Sequence, residues 1–180
     1  IILHGHEPSL SEMIVLAAEE PSLIAYAKEK GAKGINLAGL CCTANEVAMR
    51  HGVKIAGNFL QQENAVLTGA VEAVIVDVQC IFPALATLSD CFHTKFISTS
   101  PKAKIPGAIH MEFDELNALE SAKGIVREAI DNFENRDKNE TFYQLKIHFT
   151  PPIIFKADTD YGFGSIFIST TCYEQQLPLW

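Results

Sequence analysis

Basic side chains are scarce in this sequence. Fourteen Lys and Arg against 22 Asp and Glu leave a net charge of −8. No basic face is available to release counterions from a phosphate backbone, which excludes nucleic acid as a partner. Long apolar runs are missing as well: none reaches the roughly 18 residues a membrane span needs, and no basic-then-apolar signal segment opens the chain. A soluble, cytoplasmic protein is the expectation. GxGxxG follows no strand-like run, and GxxxxGK[ST] and GxSxG do not occur. Dinucleotide binding, nucleotide binding and the commonest hydrolase chemistry therefore lose their signatures. The cysteines number only five, with Cys41 and Cys42 adjacent. An odd count is a poor disulfide framework, and such thiols are better explained as ligands or as core. Methionine does not open the chain, which starts inside the strand-like IIL with no turn before it. A fragment truncated on its N-terminal side is expected.

What the sequence does contain is an alternation. With 48% hydrophobic residues in 180, it can bury one sizeable core. Strand-like runs occur at 1–3, 35–40, 54–59, 74–78, 96–98 and 108–113. Helical spacing fills the intervals. Ser9 and Glu12 fit a capping box before Leu10, Met13, Ile14 and Ala17, and Pro21 starts a second helix that stops at Gly31. Thr43 and Glu46 fit another capping box directly after Cys42, for a helix ending at His51-Gly52. Further helices are expected over 61–70, from Pro83 to about residue 90, and after Asp114, where Leu119, Ala122, Val126, Ala129 and Phe133 recur at three- and four-residue steps. This is the pattern of an α/β domain over 1–136: a Rossmann-like open parallel sheet with helices on both faces.

From residue 137 the pattern stops. Nine of the last forty residues are aromatic against seven in the first 140, and neither helical nor strand periodicity survives. Residues 137–180 read as an anomalous, aromatic-rich C-terminal tail not native to the domain, as a translation in the wrong frame would be.

Three of the apolar runs lead to ligand-type side chains. IIL leads to His4 and His6, INLAGL to Cys41 and Cys42, and AVIVDVQ to Cys80. In an open α/β sheet the ends of the strands form the edge where ligands bind. Cys42 would lie in the first turn of its helix, where unpaired N–H groups favour a thiolate, and Cys80 would end the most buried strand with a helix soon after. His6 can offer an imidazole nitrogen; His4 shares its strand face and competes with it. Thiolates with one imidazole suit iron–sulfur, zinc or nickel. The competing reading is that each cysteine is a small core residue. Cys41 is expected to pack, Cys91 to be helix-face core, His51 to suit a helix C-terminus, and His93 and His110 to be core or surface. Cys172 carries no role.

HGHEPSLSEMI, GINLAGLCCTANEVAMRHG, IAGNFLQQE, TGAVEAVIVDVQC and TSPKAKIPGAIHMEFDE resemble consecutive segments of the catalytic subunit of anaerobic, nickel-containing carbon monoxide dehydrogenases, over residues 1–136. Hybrid-cluster (prismane) proteins share the architecture and a Gly-His element like Gly5-His6, but LCCTANE and VDVQC side with the dehydrogenases. The resemblance implies a middle domain whose strand ends hold part of a nickel–iron–sulfur cluster. It implies His6 and Cys42 as ligands of the iron outside the cubane and Cys80 as ligand of a cubane iron, with His6 preferred to His4. The implied reaction is CO plus water to CO2, two protons and two electrons, with an electron-carrier protein such as ferredoxin as partner and a homodimeric parent. The three other cluster cysteines of that family, and those for its electron-relaying 4Fe-4S clusters, have no counterpart in 1–136 or the tail. The chain alone is therefore expected to be inactive. The alternatives are a stand-alone Rossmann-like domain holding one zinc through His6, Cys42 and Cys80, and a relative of hybrid-cluster hydroxylamine reductases.

Overall fold

The structure, a computed structural model, describes residues 1–136. Runs rich in Ile, Val, Leu and Phe form six strands: β1 (Ile2–His4), β2 (Ala38–Leu40), β3 (Lys54–Gly57), β4 (Ala73–Val76), β5 (Lys95–Ser98) and β6 (Ile109–His110). They make one sheet in the order β3-β2-β1-β4-β5-β6, with every pairing parallel. The chain winds outward from β1 to β3, returns to β4 beside β1, and winds outward the other way. The sheet therefore reverses direction between β1 and β4, the switch point at which open α/β sheets bind ligands.

Successive strand residues point to opposite faces, and two cores follow from that alternation. Leu3, Ala73, Ile75 and Ile97 face a layer built from α1 (Pro8–Ala18), α2 (Pro21–Glu29), α3 (Cys41–His51) and α6 (Ala118–Asp131). Ile2, Leu40, Val74, Val76 and Phe96 face α4 (Gln62–Leu67) and α5 (Ala84–Ser89). All four residues of β4 are buried, as an interior parallel strand requires. On α6, Ala122, Ile125, Val126, Ala129 and Ile130 are buried along one stripe. Each of its isoleucines contributes about 2 kcal/mol by leaving water. The expected parallel sheet with helices on both faces is the fold found.

Local boundaries differ from expectation. Pro8, whose ring presets the helical φ, begins α1 one residue before Ser9, so the capping box at Ser9 and Glu12 does not form; Glu7 is the N-cap and its side chain makes no cap. Nor does Thr43 cap α3, which starts at Cys41 and leaves Thr43 buried in its first turn. The strand expected over 108–113 is only Ile109–His110, at the sheet edge. Asp114 does cap, accepting from the Leu116 N–H at 2.9 Å, but opens a 3-10 turn ahead of α6.

Opposite the strand C-termini, a polar network fixes the end of the described chain. Glu72, just before β4, accepts from Arg136 Nε at 2.7 Å and from His93 Nε2 at 3.4 Å. Asn132 donates to the carbonyls of Glu72 and His93 at 2.7 and 2.5 Å. Burial alone would push the Glu72 carboxyl up; the His93 hydrogen bond and the Arg136 guanidinium outweigh it and hold it below the ordinary glutamate value. A carboxyl depressed in the folded state contributes stability that is fully present above its unfolded pKa and is lost as pH falls through its folded pKa. Glu72→Gln is therefore expected to destabilise the fold by about 2 kcal/mol at neutral pH and by progressively less in acid. Urea denaturation across that pH range reads the difference.

Candidate metal centre

His4 pairs in register with Leu40 on one side and Val76 on the other, so β1, β2 and β4 end level. The segments that follow, Gly5-His6-Glu7, Cys41-Cys42 and residues 77–80, leave the sheet at one height around the switch point. Hydrogen bonds join them. Thr43 N–H, one of the free donors in the first turn of α3, donates to Gly5 O at 3.1 Å. Asp77 N–H donates to His4 O at 3.2 Å. The Asp77 side chain accepts from His6 N–H at 2.6 Å, from Glu7 N–H at 2.9 Å and from Val78 N–H.

A second clamp holds the Cys80 loop. Gln62, buried in α4, donates through Nε2 to Cys80 O at 2.7 Å and to Phe59 O at 2.9 Å. Its Oε1 accepts from Phe82 N–H at 3.1 Å and from His4 Nε2–H at 2.9 Å. The buried amide is satisfied at both ends. Burial pushes the His4 imidazole below its ordinary value, with the Gln62 bond offsetting part of that, so the ring stays neutral.

Backbone strain gathers at the same place. Among the described residues, the non-glycine positions with positive φ are Cys41 (59°), Gln79 (63°) and Cys80 (54°). Each such position costs about 1–3 kcal/mol and persists where its surroundings impose it, which points to a functional constraint. The Cys41 thiol is pushed up to about 12, by burial first and then by the neighbouring Cys80 and Cys42. That coupling puts Cys80 and Cys42 each within electrostatic reach of Cys41. Cys42 and Cys80 are exposed.

The side chains singled out in the sequence thus fall into distinct settings. His6 is part-buried, and its Nδ1 is buried with no hydrogen-bond partner. His4, the competing ligand, is 1% exposed; its Nε2 is held by Gln62 and its Nδ1 is likewise buried with no hydrogen-bond partner. Cys42 is the second residue of α3, as expected. Cys80 does not end its strand: β4 stops at Val76, and Cys80 sits four residues on in a left-handed loop. Cys41 packs against the α4–α5 core, as expected, whereas Cys91 is exposed beyond α5 rather than helix-face core. His51 pairs with Glu12 at 2.6 Å, and His110 Nδ1 meets Ser98 Oγ at 3.0 Å. Cys172 and the tail lie outside the described residues. Sequence reading missed Asp77 and Gln62. The signal for Asp77 was present, a single carboxylate inside the apolar run AVIVDV, where only a dedicated set of donors makes burial tolerable.

Among the described residues, no three His, Cys, Asp or Glu side chains are grouped to hold one metal ion. A lone zinc shared by His6, Cys42 and Cys80 therefore has no ready-made pocket. A multinuclear cluster, whose ligands bind separate metal atoms, does not require one. The donor set fits such a group: two exposed thiols and an unpartnered imidazole nitrogen on the segments that follow three level strand ends.

Fold and site together define a doubly wound α/β domain with cysteine and histidine collected at its switch point. The chain belongs to the Prismane/CO dehydrogenase family, whose model matches residues 1–166 and so continues past Arg136, where the motif resemblance ended. It is 68% identical over 137 residues to carbon monoxide dehydrogenase 1 of Methanosarcina mazei, covering 76% of this chain and 22% of that protein. A nickel-free crystal structure of carbon monoxide dehydrogenase from Thermococcus sp. AM4 superposes with TM-score 0.76 at 54% identity, over 77% of this chain and 22% of that one. A structure of acetyl-CoA synthase/carbon monoxide dehydrogenase, with NiZn[Fe4S4] and NiNi[Fe4S4] clusters in its alpha subunits, superposes with TM-score 0.72 at 50% identity, over 75% of this chain and 20% of that one. The chain spans about a fifth of the length of these relatives. No helix among the described residues is long and apolar enough to cross a membrane.

Proposed function

We propose that this chain is the middle domain of a cytoplasmic, homodimeric carbon monoxide dehydrogenase that converts CO and water to CO2, two protons and two electrons, passing the electrons to a carrier protein such as ferredoxin. His6, Cys42 and Cys80 would hold part of its nickel–iron–sulfur cluster. The observation that carries this reading is the set of three level strand ends, whose loops are tied together by hydrogen bonds and contain every strained non-glycine backbone position among the described residues.

When bound, the cluster supplies Lewis-acid and redox chemistry. This chain contributes the ligands and their setting. Cys42, in the first turn of α3, and Cys80 offer sulfur ligands that are exposed to solvent. His6 offers an imidazole nitrogen that no protein group occupies. His4 offers one as well, since its Nδ1 is buried without a hydrogen-bond partner while Gln62 holds its Nε2; His6 is preferred because it lies in the loop beyond β1, whereas His4 is the last residue of the strand. Three ligands do not complete the cluster, and nothing in 1–136 offers an electron exit, so the chain alone is inactive. Anaerobic reconstitution of the chain with iron and sulfide tests the reading. A brown product that retains iron through gel filtration is expected; a colourless product that takes up zinc alone would contradict it.

A further inference from the structure

We infer that Asp77 is a positioning residue for His6: it fixes the turn that presents the imidazole to the metal, without itself touching the metal. The inference rests on the ligand assignment above and adds to it the group that sets the histidine.

Asp77 is 2% exposed. Its carboxylate ends an apolar strand and meets no cation within ion-pair distance among the described residues. Both oxygens are occupied by backbone donors: Oδ1 takes His6 and Val78 N–H, and Oδ2 takes Glu7 N–H. Two of these donors belong to the turn after β1 and lie 71 and 70 residues away in sequence. The third belongs to the loop that runs on to Cys80. One buried carboxylate thus joins the His6 turn to the Cys80 loop.

The turn is built to receive it. Gly5 has φ +138°, and a Cβ there would fall inside the Asp77 carboxylate. On its other side, Gly5 O is held by Thr43 N–H of α3 at 3.1 Å. With the backbone pinned from β4 and from α3, the freedom left to His6 is its side-chain torsions. A stray 1 Å or 20° at such a ligand is enough to spoil a metal site.

The full chain reconstituted anaerobically with iron and sulfide provides the test. Iron per chain after gel filtration reports cluster retention, and iron-edge X-ray absorption separates the nitrogen contribution of His6 from sulfur scattering. Asp77→Ala is expected to lower iron retention about tenfold and to abolish the nitrogen contribution while the sulfur scattering remains. Asp77→Asn preserves an acceptor for His6 but sets an amide N–H₂ against Glu7 N–H, and should fall between. It also keeps the comparison open if the alanine variant does not fold. A merely structural residue would lower both signals together. Wild-type-like iron retention with an intact nitrogen contribution in Asp77→Asn and any folded Asp77→Ala would overturn the inference. Should His6→Ala keep the wild-type nitrogen contribution, the ligand assignment itself fails, and the role of Asp77 falls with it.

Discussion

Gly5→Ala is expected to destabilise the fold by about 3 kcal/mol or more, from two sources that act together. Its backbone lies at φ +138°, a region L side chains rarely adopt, which costs about 1–3 kcal/mol. The new methyl would also occupy the space of the Asp77 carboxylate, and forcing a group into a packed interior costs about 1–3 kcal/mol more. Relief by moving Asp77 would strip the His6 and Glu7 amides of their acceptor. Gly124→Ala in α6 is the control: nothing lies within 4 Å of its would-be Cβ, and helix propensity favours alanine by about 1 kcal/mol. Urea denaturation of the two variants should move in opposite directions.

The other large effect concerns the thiols. In the iron- and sulfide-reconstituted chain, Cys42→Ser and Cys80→Ser are each expected to lower iron retention about a hundredfold, since a serine hydroxyl is a far poorer ligand than a thiolate and a lost ligand removes a substantial share of the binding free energy. Cys91→Ser, exposed beyond α5, should leave iron retention unchanged. Iron per chain after gel filtration measures all three. Equal retention across the set would mean that iron is held nonspecifically.

Most of the architecture could be read from the sequence because its cause is local. The four buried residues of β4 declare an interior strand, and the three- and four-residue steps of α6 declare its buried stripe. His6, Cys42 and Cys80 were legible for a related reason: each follows an apolar run, and a parallel sheet places all such ends on one edge. The clamps around them were hidden. Asp77 meets His6 across 71 residues and Gln62 meets His4 across 58, pairings created only when β1, β4 and α4 come together. The misread helix starts have a local explanation, since Pro8 opens α1 before Ser9 can cap it, and Thr43 gives its amide to Gly5 from inside α3. The loop around Cys80 escaped notice because left-handed φ at Gln79 and Cys80 has no signature in residue type.

The account centres on one imidazole and two thiolates from three strand ends serving a single cluster. Iron-edge X-ray absorption on the reconstituted chain, with and without His6→Ala, tests this most directly. Sulfur scattering together with a nitrogen contribution that disappears in His6→Ala, and sulfur scattering that falls in Cys42→Ser and Cys80→Ser, is the predicted result. A spectrum of oxygen ligands alone, or one unchanged by all three substitutions, would contradict it.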